Sequence, residues 1–209
     1  NGFSKVYSGS HYSLSASVLA GKGVEMERDY DYTGAVYAND IISPEEIGRS
    51  AGNKAIKRLN PKKAKTAQVP VIYDPRVSRG IVGHLLSAIN GSAIARNTSF
   101  LKDELNKQVF ANNISIYDDP HRQRGLRSKP FDGEGIANKK RKIINNGQLT
   151  TWILDLRSAR QLNLNSTGNA SRGTSSPPSP STTNLYIQPG ILSPAELMSD
   201  IKSGLYITG

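Results

Sequence analysis

Apolar positions along this chain change period several times, and each change marks an element. Residues 5 to 20 alternate with a period of two: Val6, Tyr12, Leu14, Ala16, Val18 and Ala20 all fall on even positions. That is the pattern of half-exposed strand, here expected as a pair broken at Gly9. Gly21-Lys22-Gly23 reads as a turn, and Val24 to Val36 continues as strand. Ser43-Pro44-Glu45-Glu46 then announces a helix: Ser43 to cap, Pro44 in the first turn, Glu46 to close a capping box. Ile47, Ala51, Ala55 and Leu59 recur every fourth residue and give that helix one narrow apolar stripe, which stops before Pro61.

Lys62 to Gln68 is charged and reads as a linker, so a boundary is expected near residue 68. Val69-Pro70-Val71-Ile72-Tyr73 is a short apolar strand. A helix starting at Asp74 or Ser78 follows, with Val77, Ile81, Leu85, Ala88 and Ile89 on one side and Asn90-Gly91 as its stop. Asn97-Thr98-Ser99 is expected to cap a short helix from Phe100 to Leu105, and Val109 to Tyr117 to form a strand. The sharpest local signal is a hairpin, Lys142-Ile143-Ile144 against Leu149 to Leu154, turning at Asn145-Asn146-Gly147. Asn-Gly supplies the positive φ angles of a type I′ turn. A short helix over 158–162 and another from Ser193-Pro194-Ala195-Glu196 to Ile201 complete the pattern. Residues 166 to 183 are almost wholly Ser, Thr, Gly, Asn and Pro; composition leaves a disordered linker and an ordered loop equally open. No internal repeat is visible.

The fold class expected is α+β in three parts. Residues 1–43 are a β-rich remnant of an N-terminal domain, and 44–68 are a linker helix with a basic linker. Residues 69–209 are an incomplete domain of mixed sheet with peripheral helices. The chain lacks an initiator Met, and Leu205-Tyr206-Ile207 near its end reads as strand, so both ends are expected to be cuts in a longer protein.

Composition narrows the chemistry. Nothing approaches the roughly 20 consecutive apolar residues of a membrane span. The absence of cysteine excludes disulfides, thiol catalysis and thiolate metal sites, and fits a reducing cytoplasm. The net charge is +10, from 27 Lys and Arg against 17 Asp and Glu. The cations are dispersed in clusters (Lys62, Lys63 and Lys65; Arg122, Arg124 and Arg127; Lys139 to Arg141 and Lys142). Aromatic residues are sparse and not interleaved with them as stacking platforms would be, so a solvated basic surface is expected rather than a nucleic-acid site.

Candidate functional residues are few. His84 stands alone among Gly83, Leu85, Leu86, Ser87, Ala88 and Ile89, as a packed or capping histidine or as lining of a groove. His11 lies on a predicted strand; His121 follows Asp118-Asp119-Pro120 in what reads as a solvated turn, with weak cation binding as the alternative. Asp132 and Glu134, in Phe131-Asp132-Gly133-Glu134-Gly135, are the best carboxylate pair. They suit acid and base roles if one is desolvated, or a turn in which Asp accepts backbone N–H bonds. Ser166-Thr167-Gly168-Asn169-Ala170 offers a run of exposed backbone donors and acceptors suited to an extended peptide.

Four loop motifs, Phe131 to Gly135, Ser158-Ala159-Arg160, Ser166 to Ala170 and Thr183-Asn184-Leu185-Tyr186-Ile187-Gln188-Pro189-Gly190, resemble in order and spacing those of the TldD/PmbA family. Its members carry the name modulator of DNA gyrase and are understood as subunits of a bacterial zinc-dependent peptidase. The chain is most similar to the PmbA (TldE) branch, the partner subunit without a zinc site. The corresponding helix of the peptidase subunit carries His-Glu-x-x-x-His, where two imidazoles grip zinc and the glutamate takes a proton from bound water. Here that helix keeps only His84.

The resemblance implies no catalytic or metal-binding residue in this chain, and zinc in a TldD-like partner. It implies a peptide cleft or subunit interface drawing on His84, Asp132, Glu134, Ser166, Thr167, Gly168, Asn169, Thr183 and Asn184. It also implies a heterodimer with the zinc-bearing subunit or a homodimer, and unfolded or peptide-like substrates of the kind met in peptide-antibiotic maturation and antitoxin turnover. Two rivals stay open: a regulator associated with gyrase or nucleic acid, and a metallopeptidase in its own right with ligands outside this stretch.

Overall fold

The computed structural model describes residues 2–209 and divides them into two compact units. One comprises Lys5–Ala67 with Gln123–Leu126; the other comprises Gln68–Arg122 and Arg127–Gly209 with the N-terminal residues through Ser4.

The first unit is a helix laid on a hairpin. β1 (Tyr12–Ala20) pairs antiparallel with β2 (Glu27–Ala35), and the turn between them includes a 3-10 segment, Gly23–Glu25. The predicted alternation holds on β1: Leu14, Ala16, Val18 and Ala20 face inward and Ser13, Ser15, Ser17 and Leu19 face outward. Residues 5–10 do not join it, because β2 runs out of partners at Ala35, opposite Tyr12. α1 (Pro44–Lys57) begins where predicted, with Ser43 Oγ accepting the Glu46 N–H at 3.2 Å. Its Ile47, Ala51 and Ala55 are buried. A stripe of alanines lets the helix approach closely but buries little apolar area, and polar contacts supplement it. Arg58 reaches Asp29 at 2.8 Å, and Lys54 reaches Asp31 at 2.7 Å with Ser50 on the same carboxylate.

The second unit is built around a four-stranded antiparallel sheet in the order β6-β5-β4-β9, made of β4 (Ile116–Asp118), β5 (Arg141–Asn145), β6 (Gln148–Leu149) and β9 (Leu185–Ile187). Parallel pairing sits apart, in a ribbon of β3 (Val71–Tyr73) and β10 (Leu205–Ile207); β7 (Ala170–Ser171) and β8 (Ser179–Pro180) form a short antiparallel pair. Four helices lie around these sheets: α2 (Pro75–Ala88), α3 (Gly91–Ala95), α4 (Leu156–Gln161) and α5 (Pro194–Met198). The core joins Leu85 and Ile89 from the end of α2 to Ile116, Ile143, Ile144, Leu149, Trp152, Ile153 and Leu154. The α+β class with peripheral helices is therefore as expected.

The Asn-Gly hairpin is also as expected, with Asn146 at φ 47° and Gly147 at φ 82°. Its second strand is only two residues long: Thr150 still donates its N–H to the Ile143 carbonyl, but Thr151 to Leu154 leave the ladder and Ile153 bridges to Asn90 instead. Asn90-Gly91 does not end α2 with a left-handed residue. Asn90 caps α3 by accepting the Ser92 N–H, and Gly91 is needed for close packing, since a Cβ there would lie 2.6 Å from both Leu154 and Ser158.

Other predicted elements change because tertiary pairing overrides local preference. No helix spans 100–105. Ser99 does accept the Leu101 N–H, but Asn106 N–H and Lys107 C=O are held by Leu149, which pins the segment as turns along β6. The strand predicted over 109–117 shrinks to β4 because Val109 and Phe110 both donate to the Gly147 carbonyl. The last two helices shift: α4 starts at Leu156 under an Asp155 cap, and α5, with a reciprocal Ser193–Glu196 box, ends at Met198. Of the two readings of residues 166–183, the ordered loop holds at both ends, where Thr167, Gly168, Asn169, Ala170, Pro180, Thr182 and Thr183 are buried, while residues 171–177 between them are exposed.

Two glycines give opposite expectations. At Gly147 a Cβ would meet the Phe110 carbonyl at 2.2 Å and the Ala111 carbonyl at 2.7 Å, on a positive φ. Gly147→Ala is expected to cost about 3 kcal/mol. Gly48, inside α1, faces open space: a Cβ there would have no neighbour within 4 Å. Gly48→Ala should therefore gain about 0.5–1 kcal/mol. Urea midpoints of the two variants against the parent check both signs.

Candidate functional site

Beneath the Ser/Thr/Asn-rich loops lie two sealed carboxylates. Asp118 closes β4 on the same inward face as Ile116 and is 1% exposed. Its Oδ1 accepts the Thr183 N–H at 2.7 Å and the Thr183 hydroxyl at 2.8 Å; its Oδ2 accepts Asn169 Nδ2 at 2.7 Å. Asp132 is 3% exposed. Its Oδ1 accepts the N–H groups of Glu134 and Ile136, and its Oδ2 accepts the Ala170 N–H. Charge is answered by two half-buried cations. Lys129 donates to the Ala170 carbonyl and faces both Asp132 and Asp118, while Arg141 donates to the Thr167 carbonyl and faces Asp118. Burial pushes the pKa of both cations down and the nearby carboxylates oppose that shift.

The same bonds fix the rest of the predicted set. Thr167 clamps Leu154, its Oγ accepting the Leu154 N–H at 2.8 Å and donating to the Leu154 carbonyl at 3.0 Å; Ser166 Oγ donates to that carbonyl and accepts the Gly168 N–H. Asn184 donates to the Asp119 carbonyl and Ser128, and accepts the Arg127 N–H. Glu134 accepts the Leu156 N–H at the start of α4. Of the two readings of Asp132 and Glu134, the turn is the one the bonds display for Asp132.

Three expectations need correction. The 166–170 loop does not present exposed donors and acceptors: Thr167, Gly168, Asn169 and Ala170 are buried and committed to internal bonds. Asp118 does not belong to a solvated turn; only His121 is exposed there, its N–H donated to Asp119, which itself is mostly covered and paired with Lys140. His84 is neither packed nor a cap but exposed on α2. Asp118 was detectable in the sequence, since the period-two inward positions Ile114 and Ile116 continue to it.

Two depressions border these residues. One, of about 580 Å³, runs between α2 (Ser78, Arg79, Val82, Gly83, Leu86) and Thr182, Thr183, Leu185, Tyr186 and Ile187, with Arg127 at its side. The other, of about 400 Å³, touches Arg141, Trp152, Leu164, Asn165, Ser166 and Thr167. The predicted site residues are thus split: Thr183 borders the first, Ser166 and Thr167 the second. His84 lines neither, although its neighbour Gly83 lines the first. The first cleft combines an apolar floor (Val82, Leu86, Leu185) with guanidinium groups, which suits holding a chain. The zinc of the resembled peptidase does not fit this helix. One turn from His84 stand Gly80, Ile81, Ser87 and Ala88, none with an imidazole or carboxylate. Among the described residues no group of three His, Cys, Asp or Glu is placed to hold an ion.

Removing the buried acceptor should be far worse than trimming a donor. Asp118→Ala is expected to cost about 3 kcal/mol, because it leaves the Thr183 N–H, the Thr183 hydroxyl and the Asn169 amide without their acceptor, and Thr183→Val about 1 kcal/mol, both read from urea midpoints. Glu134 supplies a pH signature. Desolvation raises its pKa against the pull of the Leu156 N–H, with Asp155 and Asp132 adding to the rise. The fold therefore favours the protonated form, and that stability is lost as pH climbs through the raised folded pKa. Stability profiles over the mildly acidic range should be flatter for Glu134→Gln than for the parent.

Residues 66–209 match the family pattern of the PmbA/TldA metallopeptidase C-terminal domain, and residues 1–59 match the central domain of the same proteins. The metalloprotease PmbA of Escherichia coli O157:H7 is 41% identical over 170 residues, which are 81% of this chain and 38% of that protein. The crystal structure of a proposed modulator of DNA gyrase from Bacteroides thetaiotaomicron superposes with a TM-score of 0.84 at 28% identity, covering 95% of this chain and 43% of that one. TldE of Thermococcus kodakarensis superposes at 0.82 with 24% identity, over 94% and 45%, a likeness of fold alone. The chain spans well under half the length of these relatives, and it belongs to the PmbA/TldD metallopeptidase family.

Proposed function

We propose that this chain is part of the non-catalytic, PmbA/TldE-like subunit of a zinc metallopeptidase assembly that acts on unfolded or peptide substrates. A TldD-like partner supplies the zinc, the base and the water. This chain supplies walls: the cleft between α2 and the β9 strand, floored by Val82, Leu86 and Leu185, with its rim stiffened by the Asp118–Thr183–Asn169 bonds. The observation that carries the reading is α2 itself, where the neighbours of a single imidazole one turn away on the same face are Gly80, Ile81, Ser87 and Ala88. A helix so equipped can line a groove but cannot grip an ion.

Its chemistry is then positional. Backbone and rim contacts hold an extended chain with little regard to side-chain identity, and the partner cuts it. Heterodimerisation with the zinc-bearing subunit, or self-association when that subunit is missing, follows from this division of labour. The lack of cysteine suits a reducing cytoplasm. Processing of peptide antibiotics and turnover of antitoxins are the substrate classes that the reading suggests. Among the described residues no helix is long and apolar enough to cross a membrane.

The deciding experiment uses the full-length parent protein, purified alone and with the zinc-bearing relative, in a peptidase assay with metal analysis. Cleavage is expected only from the pair, and stoichiometric zinc only in the relative. Cleavage, or bound stoichiometric zinc, in the parent alone would overturn the reading.

A further inference from the structure

The outward face of the four-stranded sheet gathers side chains that are scattered in the sequence. Antiparallel register sets Tyr117 of β4 opposite Tyr186 of β9 on one side and Lys142 of β5 on the other. The tyrosine rings stack, with centroids 5.5 Å apart and planes 17° from parallel. Cations cover them: Arg122 lies 4.6 Å from the Tyr186 centroid, Lys142 lies 5.2 Å from that of Tyr117, and Lys140 lies 5.4 Å and 5.8 Å from the two. The aromatic and basic residues that looked unrelated along the chain are interleaved after all, by strand pairing.

The charges are not balanced within the patch. Lys140 has Asp119 at 3.0 Å. Lys142 is answered by a neutral acceptor, Asn145 Oδ1 at 2.9 Å, and Arg122 by the face of Tyr186. Stacking on an aromatic ring uses the face of a guanidinium and leaves its N–H fork directed at a carboxylate geometry. On a protein of net charge +10, such a row attracts anions.

We infer that this row docks an acidic polypeptide segment, with carboxylates of an extended chain pairing with Arg122 and Lys142. Charge complementarity selects an anion, and the filled ring faces select a carboxylate over a nucleobase. A base needs an open aromatic face to stack upon, and here each phenol is faced by the other ring and by the protein's own cations. Side chains on one side of an extended segment alternate with a period of two, which suits a row that crosses three strands. Tyr186 also borders the cleft between α2 and β9, so the row adjoins the proposed peptide site, but its affinity for an anion does not depend on which subunit carries zinc, and binding and cleavage can fail separately.

Fluorescence anisotropy of labelled oligo-glutamate and labelled oligo-deoxythymidine, titrated with the intact protein at low salt, tests it. Oligo-glutamate is expected to bind, and the pair Arg122→Ala/Lys142→Ala to weaken it about fivefold or more. Lys102→Ala/Lys202→Ala, which removes the same charge from exposed positions of the same unit outside the row, should leave the affinity unchanged. Circular dichroism and urea midpoints confirm folding of each variant, and Arg122→Gln/Lys142→Gln replaces the first pair if it misfolds. Equal losses from both pairs, or no oligo-glutamate binding, would sink the proposal. So would tighter binding of oligo-deoxythymidine that Tyr186→Leu abolishes, which would make the surface a nucleic-acid site.

Discussion

A carboxylate taken out of water must be surrounded by donors, and the second unit is organised by that requirement. Asp118 and Asp132 are almost fully enclosed, and together they draw in Thr183, Asn169, Ala170, Glu134 and Ile136 as donors with Lys129 and Arg141 as counter-charges. Such groups are costly to bury alone and directional when satisfied, so they select one loop arrangement among many. That is why Thr167 to Ala170 and Thr182 and Thr183, in a stretch with the composition of a linker, are held down over the sheet.

Much of the fold could be read from the residues, because local chemistry and tertiary structure agree there. The Asn146-Gly147 turn, the Ser43 and Ser193 caps, the α1 stripe and the two strands flanking Gly21 all follow from spacing and propensity. The failures share a cause. Residues 99–110 have helix and strand signals of ordinary strength, but Leu149 and Gly147 capture their backbone groups, and the local preference yields. Asn90-Gly91 looks like a helix stop, yet steric demand from Leu154 and Ser158 explains the glycine.

The site was less legible. Of the loop residues named as cleft candidates, Thr183 borders one depression and Ser166 and Thr167 another, and the side chains of Thr167 and Thr183 face inward to bind backbone and carboxylate. Composition cannot distinguish a small hydroxyl that greets a ligand from one that fastens a loop. Nor can it show that Tyr117 and Tyr186 share a row with Lys142, since only strand register creates that neighbourhood. What the sequence did show was the poverty of α2 in ligating side chains, and the functional reading rests on it.

The parallel ribbon has its own consequence, and it concerns time rather than geometry. β3 finds its partner only in β10, and the Tyr206–Asp74 hydrogen bond beside it joins residues 132 apart in sequence. Closing so long a loop is entropically unfavourable and slow compared with forming local contacts. The hairpin and helix of the first unit can therefore assemble as soon as their own residues are available. β3 itself is completed only when β10 is available, and until then the strand before α2 has a backbone edge open to another extended chain.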